Sequence, residues 1–455
     1  SFSVSGIDKN SRLCLNPKAS LFLLLRTANK TYLFSMGKDD EASLQQLREI
    51  YEAVKAACGT DYEQMARKFS EQMANGTFSD VTARFSDTLK AQLSETALKL
   101  AWEQTASAAG DYIGCYHTRS NESNGMTNVV TTLEFSDIGM NVSYFFGNNG
   151  KLEGIRLTYQ TITKPEETEN YFELPVAIGS YELDGLLTVP KHTEHPPIVI
   201  LVQGSGPSDM DETVGSSKPF RDIAHSLAEN GIAVLRFHKR FYQYPEAADT
   251  VTIQAEVLDD VASAIEYAIR CDKIDNNRVY LLGHSLGGML APEIADSNPS
   301  VKGIISLAGS PRRLEDIICD QNEALLKTSG LGETEIAEQM KPIWETANQI
   351  KALTETDSGI YLGVPAEYWH SLNQLHPAKT AQSSELPMLF LQGSEDIQVY
   401  ADVDFMQWKE LLTGKQNCRF RLYDGLGHFF TAKDGHVDHE VIADIVRFVL
   451  EESKN

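Results

Sequence analysis

Gly283-His284-Ser285-Leu286-Gly287 follows the apolar run Val279 to Leu282 and leads, through Gly288, into a helix-compatible segment. That order reads as strand, sharp turn and helix, with one serine at the apex. The flanking glycines suit a reversal too tight for side chains. Such a turn exposes the hydroxyl and aims the free N–H groups of the new helix at whatever the hydroxyl attacks. A serine hydroxyl is a weak nucleophile until a base takes its proton, and the base works better when an acid orients it. Two later loops carry those groups in order. Gly393-Ser394-Glu395-Asp396 follows the apolar run Met388–Gln392, and Asp424-Gly425-Leu426-Gly427-His428 follows Phe420–Tyr423. Asp396 is expected to accept a hydrogen bond from one ring nitrogen of His428. His428 is expected to take the proton of Ser285 and hand it to a leaving group. Glu395 is the alternative acid, and His428 as a structural loop histidine is the bland reading. His284 flanks the serine and is expected to point away from it; His225 is placed in a helix, and His370 and His376 in an insertion.

Negative charge developing on an attacked carbonyl oxygen calls for two backbone N–H groups aimed at it. Leu286, directly after the serine, is expected to supply one. The other is expected from Gly204-Ser205-Gly206-Pro207, the loop after Ile198–Gln203; Ser205 is assigned, with Gly206 as the alternative.

Placing these loops on one edge requires a sheet whose strands run the same way. From Tyr171 onward the apolar runs alternate with helical spacing, and the later ones (Ala233–Phe237, Val279–Leu282, Gly303–Leu307, Met388–Gln392) are almost uninterrupted, as parallel strands covered on both faces would be. Ligand sites of such sheets lie at the strands' carboxyl ends. The expected architecture is an α/β domain over 171–455, with a mostly parallel eight-stranded sheet, helices on both faces, and a strandless helical cap inserted at 311–385. The cap carries Trp344, Tyr361, Tyr368 and Trp369. Upstream, Leu21–Leu25 and Thr31–Phe34 read as a hairpin within 1–40. Residues 41–160 read as a smaller α+β domain that opens on a helix from Glu41 to about Cys58, and 161–170 as a polar linker. No acid, base and nucleophile come together in the smaller domain. It reads as a packing or docking domain, with a small-ligand cavity as the alternative.

These stretches carry a family resemblance. Residues 171–455, about 285 in all, resemble the α/β-hydrolase fold, and in five places they are similar to bacterial serine carboxylesterases of the dienelactone-hydrolase-like branch. The shared pieces are Gln203–Pro207 with Asp209, Asp211 and Glu212, then Gly283–Gly288 and Leu307–Arg312, then Leu386–Gly393 and Gly425-Leu426 before His428. His238-Lys239-Arg240 departs from an aspartate that such esterases often carry before the basic pair, and Gly427 replaces a common asparagine. The smaller domain resembles the helix-plus-curved-sheet domains of the nuclear-transport-factor-2-like or cystatin-like kind. The resemblance implies hydrolysis of carboxylic esters with short to medium acyl chains and no cofactor. A thioesterase, amidase or exopeptidase of the same fold is the alternative, and a non-catalytic binding protein the remote one.

Composition narrows the partners. A net charge of −24 over 455 residues argues against nucleic acid and anionic membrane surfaces. The six cysteines are scattered without C-x-x-C pairs, and the histidines lack His-x-His or His-Glu-x-x-His spacing, so neither a disulfide framework nor a metal is expected. No apolar run approaches the ~18 residues of a membrane span. The expected partner is a small-molecule ester, with a homo-oligomer left open. The first residue is Ser1, so any targeting signal lies outside this sequence and the compartment is left open, a soluble protein with a lean toward export.

Overall fold

The computed structural model describes residues 10–14, 22–27, 30–35, 61–123, 125–245 and 251–452. The helix expected from Glu41 to Cys58 lies outside them. The chain divides into two compact units, Ser1–Thr163 and Lys164–Asn455.

In the first unit, β1 (Asn10–Cys14), β2 (Phe22–Thr27) and β3 (Lys30–Ser35) form an antiparallel sheet, so the expected hairpin gains a third strand. Four helices follow (Tyr62–Ala74, Ser79–Ala83, Asp87–Gln92, Glu95–Ala109), and three of them start on side-chain caps from Asp61, Ser86 and Ser94. An antiparallel sheet comes next: β4 (Tyr112–Ser123), β5 (Met126–Phe135), β6 (Gly139–Phe146) and β7 (Leu152–Gln160), paired in that order. Ala66, Phe69 and Met73, spaced at three and four residues, share a core with Val129, Tyr144 and Phe146.

The second unit is an α/β-hydrolase fold. Its strands are β8 (Tyr171–Ile178), β9 (Leu183–Pro190), β10 (Ile198–Val202), β11 (Ala233–Phe237), β12 (Val279–His284) and β13 (Val301–Leu307). The cap holds β14 (Ile360–Tyr361) and β15 (Val364–Pro365), and β16 (Met388–Gly393) and β17 (Cys418–Tyr423) follow. The large sheet runs β17-β16-β13-β12-β10-β11-β9-β8, parallel from β17 through β11 and antiparallel at β9 and β8. Every residue of β10, β11, β12 and β16 is buried, which explains their almost uninterrupted apolar runs. Helices Pro219–Glu229 and His439–Glu452 share one core with the sheet; helices Asp259–Arg270 and Leu286–Asp296 share the other. From β10 the chain goes to β11 on one side and later to β12 on the other. The crevice at their carboxyl ends is a topological switch point.

Two segments differ from expectation. The cap is not strandless: Leu362 and Gly363 both take positive φ (46° and 81°), which closes a two-residue turn between β14 and β15. Residues 166–170 are tied to the sheet edge rather than free: the Glu173 N–H donates to the Glu166 carbonyl, and the Lys191 N–H to that of Asn170.

A charge is buried in this sheet. Arg236 of β11, 1% exposed, donates to Glu173 and Thr188 through Nη1 and to Asp211 through Nε, at 2.7, 3.0 and 2.9 Å. Burial alone would push the Glu173 carboxyl up. Hydrogen bonds from His225 and Arg236, with the Arg236 charge, hold it down at about 2. Removing Arg236 takes the buried cation from both carboxylates, leaving His225 beside Glu173 and the part-exposed Lys218 beside Asp211. Arg236→Ala is therefore expected to lose about 3–5 kcal/mol of stability in urea unfolding of the full chain, and a loss under about 1 kcal/mol would contradict this packing.

Candidate active site

β12 delivers Ser285 into a strained turn. Its backbone has φ 52° and ψ −114°, a region costly for any residue with a side chain. The Ser285 N–H donates to the Leu307 carbonyl at the end of β13, 2.8 Å away, while its own carbonyl accepts from the Met289 N–H. Glycine is required beside it: a Cβ on Gly283 would lie 2.2 Å from the Gly287 oxygen, and one on Gly287 2.3 Å from the Val202 oxygen of β10. The helix Leu286–Asp296 starts immediately, and the Ser285 side chain does not cap it. The hydroxyl is thus left over, and Leu286, as the first helical residue, has an N–H with no partner inside the helix.

The loops after β16 and β17 bring Asp396 and His428 together. His428 Nδ1 lies 2.7 Å from Asp396 Oδ2. That same oxygen accepts from the Gln392 side chain, and Oδ1 accepts from the N–H groups of Gln398 and Val399. Burial tends to raise the Asp396 pKa, but the hydrogen bond and charge of His428 and the two N–H groups outweigh it and hold the carboxyl below its ordinary value. Burial is also the largest influence on His428. With the charge of His284 added, it prevails over the pull of Asp396, and the imidazole stays below the ordinary histidine value. A neutral ring donating from Nδ1 to Asp396 leaves a lone pair at Nε2. Glu395, the alternative acid, is exposed, and its side chain does not reach His428.

The loop after β10 is clamped from three directions. The Gly204 N–H donates to Glu212 Oε1 (2.8 Å) and the Gly206 N–H to Glu256 Oε1 (2.7 Å). Buried Lys239 donates both to the Gly204 carbonyl and to Glu256, each at 2.6 Å. Among the described residues the Ser205 N–H meets no acceptor. Glu256 sits on a π-helical turn, Gln254–Leu258, and the residue preceding that turn, Ile253, donates its N–H to Ser371 of the cap helix Ala366–Asn373. A Cβ on Gly204 would lie 3.2 Å from the Ser285 Cβ, so this loop runs directly against the serine.

The sequence named Glu212 and Lys239 only within the family resemblance, without roles, placed His284 away from the serine without naming its partners, and did not single out Glu256. The His284 ring is turned inward, with Nδ1 3.0 Å from Glu212 and Nε2 3.0 Å from the His428 carbonyl. A signal existed for Lys239, which follows the apolar run of β11 and therefore lies at the same carboxyl edge as the other loops. Glu256 carried none, because nothing in its surroundings announces burial. A cavity of about 520 Å³ opens beside the helix after Ser285, lined by Met289, Pro311, Arg312, Leu314, Leu372 and Leu375; Ser285, Asp396 and His428 do not line it.

Comparison with known proteins follows the same division. Esterase EstD of Thermotoga maritima is 32% identical over 410 residues, covering 86% of this chain and 95% of its own length. The chain belongs to the EstD esterase family. A family described as serine aminopeptidase, S33, matches residues 213–432, and a family of unknown function, DUF3887, matches residues 66–155. Among solved structures, Est1E from Butyrivibrio proteoclasticus (18% identity, 62% of this chain, 99% of that one) has a TM-score of 0.43. An esterase from Pyrobaculum calidifontis (16%, 63% and 87%) has 0.42, and a Mycobacterium tuberculosis puromycin-hydrolyzing peptidase (15%, 75% and 48%) has 0.44. Among the described residues no helix is long and apolar enough to cross a membrane, and no group of three or more His, Cys, Asp or Glu could hold a metal ion.

The turn predicts its own fragility. Gly287→Ala would drive a methyl into the Val202 carbonyl, so it is expected to cost about 3 kcal/mol and to depress ester turnover. Wild-type stability in urea together with wild-type turnover would contradict the close approach of the elbow to β10.

Proposed function

We propose that this chain hydrolyses carboxylic esters with short to medium acyl chains through an acyl-enzyme on Ser285. The observation that carries the proposal is the His428–Asp396 hydrogen bond, 2.7 Å long, held in loops at the same sheet edge as the strained serine. The Ser285 Oγ attacks the ester carbonyl carbon as His428 Nε2 takes its proton, and Asp396 stabilises the imidazolium that results. The oxyanion is met by the N–H groups of Leu286 and Ser205. Ser205 is preferred over Gly206 because Glu256 already occupies the Gly206 N–H. Collapse of the intermediate expels the alcohol, which leaves with the proton from His428. Water activated by the same imidazole then releases the acid and frees Ser285. No step calls for a cofactor. The acyl-chain range rests on the family resemblance, and the EstD relationship supports ester over other acyl substrates.

Turnover of p-nitrophenyl acetate and butyrate, with Ser285→Ala alongside, tests the proposal. The variant is expected to lose roughly 10⁴-fold or more in kcat, and equal turnover would sink the assignment. The serine aminopeptidase match supports a second reading, hydrolysis of aminoacyl amides, and an aminoacyl p-nitroanilide turned over faster than either ester would favour it. The protonation of His428 gives a pH signature. Its neutral form is favoured in the folded chain, so the acid limb of kcat/KM is expected to titrate below the ordinary histidine value of 6.5. A limb above 6.5 would contradict His428 as the base in this environment.

A further inference from the structure

A second acid–histidine pair lies behind the first, and the proposed chemistry does not use it. His284 and Glu212 are both buried. His284 Nε2 faces the main-chain oxygen of His428 at 3.0 Å, and a carbonyl oxygen only accepts, so Nε2 carries a hydrogen. His284 Nδ1 faces Glu212 Oε1 at 3.0 Å, and that oxygen already accepts the Gly204 N–H. When Glu212 is ionised its oxygens only accept, so Nδ1 then carries a hydrogen as well. A ring with both nitrogens protonated is an imidazolium. Glu212 Oε2 is buried without a hydrogen-bond partner, so a negative charge on Glu212 depends on the His284 ring at Oε1 for its counter-charge. The other groups facing the His284 ring are the Asp396 carboxylate, the His428 imidazole 4.6 Å away between ring centroids, and the Phe429 ring at 5.2 Å.

We propose that Glu212 holds His284 as an imidazolium, and that His284 is a positioning residue for the base His428. Its Nε2–H fixes the His428 main chain, and its positive charge stands beside the His428 ring. The second part rests on the reading of His428 as the base. One carboxylate oxygen thereby joins three loops: Gly204 after β10, His284 at the end of β12, and His428 after β17 through the histidine. Glu212 is itself fixed from outside the site. Its φ is 52°, its N–H donates to the Asp209 carbonyl, and its neighbour Asp211 is locked by Arg236. Burial disfavours the charge on His284, but the Glu212 charge and hydrogen bond, the His428 carbonyl and Asp396 together prevail and raise its pKa.

The full chain labelled with ¹⁵N-histidine tests the first part directly. At pH 7.5 one histidine is expected to show both ring nitrogens as N–H, the signals disappearing in His284→Gln and the ring turning neutral in Glu212→Gln. A set of histidine rings that are all neutral at that pH would overturn the proposal, and this measurement on the unaltered chain stands even if a variant fails to fold. The second part is read from kinetics. His284→Gln can still donate to the His428 carbonyl but has lost the charge, so the acid limb of kcat/KM is expected to rise by about one pH unit with KM little changed. An unmoved limb in a folded variant would overturn it, because a merely structural role would not act through pH. Fluorophosphonate labelling separates this proposal from the one it rests on. No labelling of Ser285 with a charged His284 sinks the triad and leaves the pair, whereas labelling with a neutral His284 sinks the pair alone.

Discussion

The backbone at Ser285 stands at φ 52° and ψ −114°, a conformation that costs about 1–3 kcal/mol and persists only where surrounding structure over-determines it. The means are visible on every side. β13 accepts the serine N–H, β10 presses against Gly287, and Gly283 packs on the Gly287 carbonyl. Each of these contacts requires strands in parallel register, so the wholly buried apolar sheet is the frame that keeps one hydroxyl out of its own helix cap. The order of the strands then settles which loops surround it, because β10 and β12 adjoin at the point where the chain reverses direction across the sheet.

Buried charge performs the fine placement. The chain is strongly acidic, yet Arg236, Lys239 and Arg240 are all buried in consecutive parts of one strand and the turn after it, each beside carboxylates. Buried ion pairs add little net stability because desolvation offsets their attraction, but breaking one is costly, so they punish any alternative arrangement. Here one pair, Lys239 and Glu256, ends on backbone atoms of the loop beside the serine. Lys239 and Glu256 hold Gly204 and Gly206, while Arg236 and Asp211 brace the turn that presents Glu212. Ser371 ties this scaffold to the cap, accepting the N–H of Ile253 beside the turn that carries Glu256.

Much of this was readable from the chain, for a physical reason. A parallel strand buried on both faces is mostly apolar, so β10, β11, β12, β13 and β16 stood out as runs, with Arg236 the exception in β11, and the loop after each run marked a carboxyl edge. Ser285, Asp396 and His428 were singled out that way, and the fold brings Asp396 and His428 into hydrogen-bond contact. What was not readable shares a cause as well. The partners of Lys239, Glu256 and His284 are buried and distant along the chain, 17 residues apart for Lys239–Glu256, 72 for His284–Glu212 and 144 for His284 and the His428 carbonyl, and no local pattern encodes those pairings. The β14–β15 ladder was missed because two-residue strands have no alternation to read. β1 was missed because Asn10-Ser-Arg-Leu-Cys14 carries too few apolar residues to stand out.

A structure of the full chain after reaction with a phosphonate ester tests most directly whether these loops form one acyl-transfer site. The account predicts phosphorus bonded to the Ser285 Oγ, with one phosphonyl oxygen about 3 Å from the N–H groups of both Leu286 and Ser205. Phosphorus on another residue, or an oxygen turned away from both N–H groups, would contradict it.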